Sequence, residues 1–360
     1  MSAVTDLERW LRAEFVEINT VLDNAYFAAR KEILHDVHDL DQLKRTLRDD
    51  GGTLVSRIHE LPAAGRYQLL GAVGLYLAAC RRHEVDAPDA AQAVAGRLGL
   101  ALGVAPRFVF AHESTHNPAV AGAFRTFTSL PDEHTFITYN ALAVLAYQRA
   151  AAALTRIPAM GATSPFATYL FDEAEAALRD VLRFNQTLAA ELDRDRFFLS
   201  VRPYFMPHPV CGVEYRGANA GDFAAVNEID VALGLCHPSD PFYLRILTEK
   251  YPYVPPEDQP RLRALPTDLL SLFEADTGRN VDRFLAVCRA HGAAYTFHHH
   301  QLVLPFLAST ASADTASGPP IDVVVAGLAR LVDLRAARDR PGTARPRLAR
   351  LRAAITVRTG

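Results

Sequence analysis

The chain has 360 residues, 49% of them apolar and 22% charged, a composition that excludes a disordered chain and calls for a buried core in one large domain or two. Its 38 basic and 41 acidic side chains leave a formal net charge of -3 and no basic field to neutralise a phosphate backbone, so nucleic acid is not an expected partner. Cys80, Cys211, Cys236 and Cys288 stand far apart with no CxxC pair, and Met1 to Arg12 carries charge in place of an apolar signal core, which together point to a reducing cytoplasm.

In chain order, apolar residues recur at three and four from Leu7 to Leu34 (Leu7, Trp10, Leu11, Phe15, Ile18, Leu22, Ala25, Ala28), which predicts one long amphipathic helix. The next periodic run, Leu40 to Leu61, carries Asp49-Asp50-Gly51-Gly52, a turn signal expected to split it into two helices. Arg66 to His83 and Ala87 to Leu102 continue as alanine- and leucine-rich helices. Leu130-Pro131-Asp132-Glu133 sets proline and acids ahead of an apolar run from Thr135 to Ile157; acids favour the positive end of the helix dipole, so a central core helix is expected. Its most apolar part, Ala141 to Ile157, holds Gln148, Arg149 and Arg156 and falls short of the roughly twenty apolar residues a bilayer needs, so no membrane span is expected.

A loop from Pro158 to Pro165 leads to an amphipathic helix from Phe166 to Leu192. Between Arg202 and Gly221, Pro203, Pro207, Pro209, Gly212 and Gly217 break any helix, and so long an irregular stretch in a helical protein is usually functional. Helices are expected again over Phe223 to Gly234, Pro241 to Lys250, Pro256 to Leu265, Thr267 to Phe273, Val281 to His291 and Tyr295 to Pro305. After a small-residue loop from Ser309 to Pro320 comes a last helix, Val323 to Leu334; the basic, proline-interrupted tail beyond Asp339 reads as exposed. Period-two runs of β-branched residues are nearly absent, so the fold class is all-α.

The densest chemical feature is His298-His299-His300. Successive helical residues point about 100° apart, so the three imidazoles cannot converge on one metal ion and at most one faces the core. No HExxH pattern supports a zinc site. A haem asks only for one neutral imidazole in an apolar helix wall, and Leu302, Val303 and Phe306 stand at helical spacings from His299. The competing reading is a surface histidine pair beside one packed histidine. In Phe197-Phe198-Leu199-Ser200-Val201-Arg202-Pro203-Tyr204 an arginine ends an aromatic helix, placed either to hold a carboxylate in a bidentate fork or only to cap and pair locally. Gly217-Ala218-Asn219-Ala220-Gly221-Asp222-Phe223 sets small residues before a helix start, suited to close approach by a flat cofactor or to tight helix packing, with Asp222 reading as the N-cap. The GxGxxG and GxxxxGK[ST] spacings are missing, so this is no nucleotide loop.

In this order the segments resemble the haem-dependent indoleamine and tryptophan dioxygenase superfamily over about the last two-thirds of the chain. In that family an aromatic pair leads to a carboxylate-binding arginine followed by an aromatic, to which Phe197, Phe198, Arg202 and Tyr204 are similar. A small-residue loop over the haem then enters an apolar helix, as Gly217 to Gly221 and Ile229-Asp230-Val231-Ala232-Leu233-Gly234 do here; Tyr253-Val254-Pro255-Pro256 resembles the next motif. The iron-binding histidine is followed two residues later by glutamine or a basic residue and then two apolar residues, the register of His299-His300-Gln301-Leu302-Val303. Asn117-Pro118 through Leu130-Pro131-Asp132-Glu133 resembles the monodechloroaminopyrrolnitrin synthase branch more closely.

The resemblance implies a large all-α bundle of the indoleamine/tryptophan dioxygenase type enclosing a b-type haem, with 1–128 as an N-terminal helical region and 129–360 as the haem-binding region of one continuous globular unit. It implies His299 as the metal ligand, or His300 if the register slips by one, with Ala220, Gly221 and Val303 against the cofactor and Arg202, Phe197, Tyr139 and Asn219 around the substrate. The family's distal serine falls at Tyr139, Asn140 or Ala143, and Ala143 is expected in its place with Tyr139 lining the pocket. Where the dioxygenases close a Gly-Thr-Gly-Gly loop over the substrate, this chain has Ala316-Ser317-Gly318-Pro319-Pro320, which puts closure in doubt and favours secondary metabolism over simple ring cleavage. The expected activity is haem-dependent oxygenation, with dioxygen as co-substrate, of L-tryptophan or a substituted indole or aromatic amino acid. A hydroxylase of a tyrosine-like phenol, a non-catalytic haem-binding protein and a helical scaffold without cofactor are the alternatives; an external electron donor and the oligomeric state stay open.

Overall fold

The computed structural model describes residues 2–120, 122–308 and 320–359. It is 68% helical, and the strands among the described residues are β1 (His208–Val210) and β2 (Val213–Tyr215), an antiparallel pair with Val210 opposite Val213. The all-α expectation holds.

The first apolar face does not run as one helix. α1 (Ala3–Trp10) and α2 (Glu14–Ala28) part at 11–13, where Ala13 leaves helical geometry (φ -128°, ψ -99°), and the bend lets Leu7, Trp10, Leu11 and Phe15 all reach the interior. Asp49-Asp50-Gly51-Gly52 is not a turn either, because α3 (His38–Ser56) runs through it. A Cβ on Gly51 would run into the rings of Tyr76 and Trp10, and one on Gly52 into Pro88. These glycines serve the close approach of α3 to α1 and to α4 (Arg66–Arg82) and α5 (Asp89–Leu102). α4 is buried on nearly every side, from Leu69 to Cys80, and forms the axis of this half.

α6 (Pro131–Met160) and α7 (Pro165–Glu191) form an antiparallel spine. α6 opens with Pro131 at its first position and Asp132 and Glu133 in its first turn. Glu133 reaches back to accept from the N–H groups of Phe127 (2.6 Å) and Thr128 (2.7 Å), which fixes the approach to the helix. α6 continues past Pro158, so the loop is shorter than expected, and Ser164 caps α7 by accepting from the Ala167 N–H. Ala146, Ala150 and Ala153 share one core with Ala167, Ala174 and Ala177, small residues that let the two helices lie close.

Beyond α7 come α8 (Arg194–Arg196), α9 (Ala225–Ala232), α10 (Pro241–Lys250), α11 (Asp258–Arg263), α12 (Leu269–Ala275), α13 (Val281–Phe297), α14 (Leu304–Ala308), α15 (Ile321–Arg335) and α16 (Arg345–Thr359). Asp240 and Asp268 cap α10 and α12. The tail expected to be exposed is α16, with Leu348 and Leu351 each only 2% exposed against the core that holds α12; its many arginines hid the apolar stripe. The core of the N-terminal helices also takes in Val144, Leu188, Phe197, Phe205 and Leu302 from the rest of the chain.

Candidate active site

Among the described residues two segments are π-helical, Phe197–Val201 and His298–Val303. Such turns, with i→i+5 hydrogen bonds, are rare and frequently occur at functional sites. Here they coincide with the aromatic segment before Arg202 and with the histidine triplet.

The three imidazoles fan apart. His299 is 3% exposed; His298 is half-buried and stacked on Tyr295 (centroids 6.4 Å apart); His300 is exposed with Nε2 3.4 Å from Arg338 Nη2. Burial, with His300 and Arg338 adding to it, lowers the pKa of His299, and burial brings His298 down to about 4, so both rings are neutral at pH 7. His299 Nδ1 is buried with no hydrogen-bond partner. On the same turn Leu302 is buried and Val303 half-buried, while the Phe306 side chain lies outside the described residues.

On the other π turn Phe197 is buried, 4.6 Å between ring centroids from Phe136 of α6. Arg202 opens a 3-10 turn, Arg202–Phe205, half-buried with its guanidinium 5.1 Å over the Phe198 ring. Burial lowers its pKa while Glu32 opposes the shift, and no carboxylate among the described residues lies within ion-pair distance. A half-desolvated guanidinium on an aromatic face has the planar geometry to hold a carboxylate in a bidentate fork. Phe136, Tyr139, Ala220 and Phe223 pack against the apolar cluster that holds Phe197 and Leu302. Tyr139 is half-buried, its phenol pKa raised by burial and by Glu191 of α7. Asn140 donates to the Phe136 carbonyl of its own helix, and Ala143 is buried.

Asn219 and Gly221 are exposed, and Asn219 Oδ1 accepts from the Gly221 N–H at 2.8 Å, closing a local turn. The N-cap expected at Asp222 is not made. α9 begins at Ala225, the Ala224 N–H donates to Asp258, and the Asp222 carboxylate accepts both arms of Arg216 at 2.8 and 3.0 Å. The Arg216 guanidinium in turn lies 3.8 Å over the Tyr253 ring, so the Tyr253-Val254-Pro255-Pro256 segment clamps the base of the small-residue loop.

The family model described as monodechloroaminopyrrolnitrin synthase PrnB matches residues 1–355. The chain belongs to this family. The match extends through the N-terminal helices, beyond the last two-thirds where the motifs lie. Monodechloroaminopyrrolnitrin synthases of this type are enzymes, haem-dependent oxygenases, so the expected oxidoreductase class holds and the non-catalytic alternatives fall away. No helix among the described residues is long and apolar enough to cross a membrane.

Haem arrives with its metal already chelated and asks a synthase of this family for one neutral imidazole rather than a cluster of donors. Among the described residues no three His, Cys, Asp or Glu side chains converge, whereas the buried, neutral His299 beside Leu302, its Nδ1 without a partner, fits the request. Behind this turn Asp230 of α9 is fully buried and accepts from His291 Nε2 (2.8 Å), Arg335 Nε (2.8 Å) and Nη2 (2.6 Å), and the Tyr243 hydroxyl (2.8 Å). Burial would raise its pKa, but Arg335 and His291 prevail and hold it well below the usual carboxylate range.

Several buried polar groups in this chain carry no signal in the sequence. Arg107 is fully buried and donates to the carbonyls of Phe108 (2.7 Å) and Arg216 (2.7 Å), which ties down the irregular stretch. His112 Nε2, both Glu113 carboxylate oxygens and Ser200 Oγ are buried without partners; burial and Glu133 raise Glu113 well above its usual range. A single buried polar residue has no periodic signature, so nothing in the sequence marked them. Clefts of about 470 Å³ beside His116 and Glu257 and about 340 Å³ beside Cys236 and Arg347 are lined by neither His299 nor Arg202. The segment matched to the family's closing loop, Ala316 to Pro319, lies outside the described residues.

Proposed function

We propose that the chain oxygenates a tryptophan-derived indole amino acid in pyrrolnitrin-type secondary metabolism, with His299 as the iron ligand and Arg202 as the clamp on the substrate carboxylate. The reading is carried by the coincidence of the two π turns with these two residues in a chain matched by the synthase family over 1–355.

The bound haem supplies the redox chemistry with dioxygen. The protein's own part is positioning. Burial keeps His299 unprotonated, so a lone pair is available at neutral pH, and the wall at Leu302 and Val303 fixes the ring. Arg202 receives the carboxylate in a bidentate fork, with Phe198 beneath the guanidinium holding its plane. Phe197 and Phe136 offer an aromatic face to the substrate ring and keep water from it. Ala220 and Gly221 leave room for a flat group to approach the backbone. Holding the reacting ring in one orientation replaces acid–base help from side chains.

The test is the visible spectrum of protein expressed with a haem precursor, as wild type, His299→Ala and His300→Ala, before and after tryptophan. The expected result is a Soret band that tryptophan shifts, lost or displaced in His299→Ala and kept in His300→Ala. A wild type that takes up no haem overturns the proposal. A Soret band deaf to tryptophan and its ring-substituted forms overturns the substrate class.

A further inference from the structure

The segment that carries Arg202 is gripped by the N-terminal helices. Its π turn closes with the Arg202 N–H on the Phe197 carbonyl, five residues back. The Leu199 carbonyl loses its ordinary helical partner, because Pro203 stands four residues on and has no N–H to give it. Arg82, at the end of α4, takes that place from another part of the chain: its Nη2 donates to the Leu199 carbonyl at 2.9 Å and to Asp23 Oδ1 of α2 at 2.5 Å. Its Nη1 donates to the carbonyl of Glu32, whose charge acts on Arg202. Two residues beyond Arg202, the Tyr204 ring is stacked on Phe127 with centroids 4.2 Å apart, and its hydroxyl donates to Oδ2 of the same Asp23 at 2.5 Å. Asp23, Arg82 and Tyr204 are all buried.

One ion pair thus holds the chain three residues before Arg202, at the Leu199 carbonyl, and two residues after it, at the Tyr204 hydroxyl. Well-packed apolar side chains of similar volume would join α2 and α4 about as firmly, because a buried ion pair regains little more than its desolvation costs. What they could not do is hold a backbone carbonyl and a hydroxyl at set points. A bidentate fork needs such control, since its two parallel bonds demand one orientation and about 1 Å of misplacement can cost on the order of 100-fold in rate.

We infer that Asp23, Arg82 and Tyr204 are positioning residues for the substrate carboxylate: they fix the backbone on both sides of Arg202 so that its guanidinium keeps one orientation. The inference rests on the reading of Arg202 as the carboxylate clamp, and it gives the N-terminal helices a part in the substrate site.

Calorimetric titration of the haem-loaded full chain with tryptophan and with tryptamine, the same indole without its carboxylate, tests it in the wild type, Tyr204→Phe, Arg82→Lys and Arg202→Ala. Tyr204→Phe keeps the ring on Phe127 and removes only the hydroxyl; Arg82→Lys keeps a charge beside Asp23 but has no planar fork to span Asp23 and two carbonyls. Each should weaken tryptophan about 5-fold, the scale of coupling within one hydrogen-bond network, leave tryptamine unchanged and add nothing in the Arg202→Ala background. A structural role alone would weaken both ligands alike, and comparing them within each variant removes any general loss of stability. Tryptophan affinity kept in full by both variants, an equal loss for tryptamine, or a loss undiminished in Arg202→Ala/Tyr204→Phe overturns the positioning role while leaving Arg202 in the site. An Arg202→Ala protein that binds tryptophan as the wild type does removes the clamp itself, and the inference falls with it.

Discussion

α13 and the turn that follows it carry two buried histidines in opposite circumstances. His291 donates Nε2 to Asp230, and that carboxylate is further engaged by Arg335 and Tyr243, so the cluster joins α9, α10, α13 and α15 through charge-assisted bonds. Two turns on, His299 is also buried, its Nδ1 has no hydrogen-bond partner among the described residues, and the helix around it has opened into a π turn; the His291 Nδ1 is likewise unpaired, so the difference lies in the carboxylate that His291 Nε2 finds. Desolvating a polar group without a partner costs about 1–3 kcal/mol, so each buried group left unpaired calls for an explanation, a bound ligand or an ordered water among them. The second π turn repeats the pattern, with Ser200 Oγ unpartnered inside it and Arg202 after it, near Glu32 but with no carboxylate among the described residues at ion-pair distance.

The largest expected effect lies on the paired side. Asp230→Ala strands the Arg335 charge in the interior and should remove about 3–5 kcal/mol of stability in urea unfolding; a loss below about 1 kcal/mol would erase the contrast between the regions. Because the Asp230 pKa is depressed in the fold, its contribution is present above the unfolded value of about 3.9 and is lost as pH falls through the lower folded value. Acid unfolding should therefore set in below about pH 4 and be less steep in Asp230→Asn.

On the unpaired side the effects should fall on ligands before stability. Arg202→Ala should raise KM for the amino acid about 10- to 100-fold, the worth of a charge-assisted fork, while the Soret band and Tm stay put; Arg202→Lys should recover only part. Unchanged steady-state kinetics would remove Arg202 from the site. His299→Ala in the haem-free protein should cost only about 1–2 kcal/mol, a cavity without a lost bond. A cost matching that of Asp230→Ala would make His299 a structural histidine. Smallest of all, Ser200→Ala should be neutral or stabilising by up to about 1 kcal/mol, because it removes a buried hydroxyl that has no partner. A clear loss of stability would mean that this hydroxyl is engaged after all.

Much of this was legible in the amino-acid pattern. The spine helices α6 and α7 follow from apolar spacing, and their starts from Pro131 with its acids and from Ser164-Pro165. Phe197, Arg202 and His299 stood out through residue type and order. The failures share a cause. Gly51 and Gly52 look like a turn because glycine usually means one, but here they meet Tyr76, Trp10 and Pro88. Asp222 looks like a cap because it precedes a helix, but Arg216 captures it. The arginines of α16 read as an exposed tail, but Asp268 and Glu274 draw them onto the body and bury Leu348 and Leu351.

By itself the sequence determined the helical class, the positions of most helices and the short set of residues able to serve a haem and a carboxylate, since these follow from periodicity and side-chain chemistry along one chain. Only the tertiary structure decided which of the three consecutive histidines turns inward, which helices open into π turns and which buried polar groups find partners. Those outcomes depend on the surface that each helix meets, and a one-dimensional pattern records a helix's own faces but not its neighbour's.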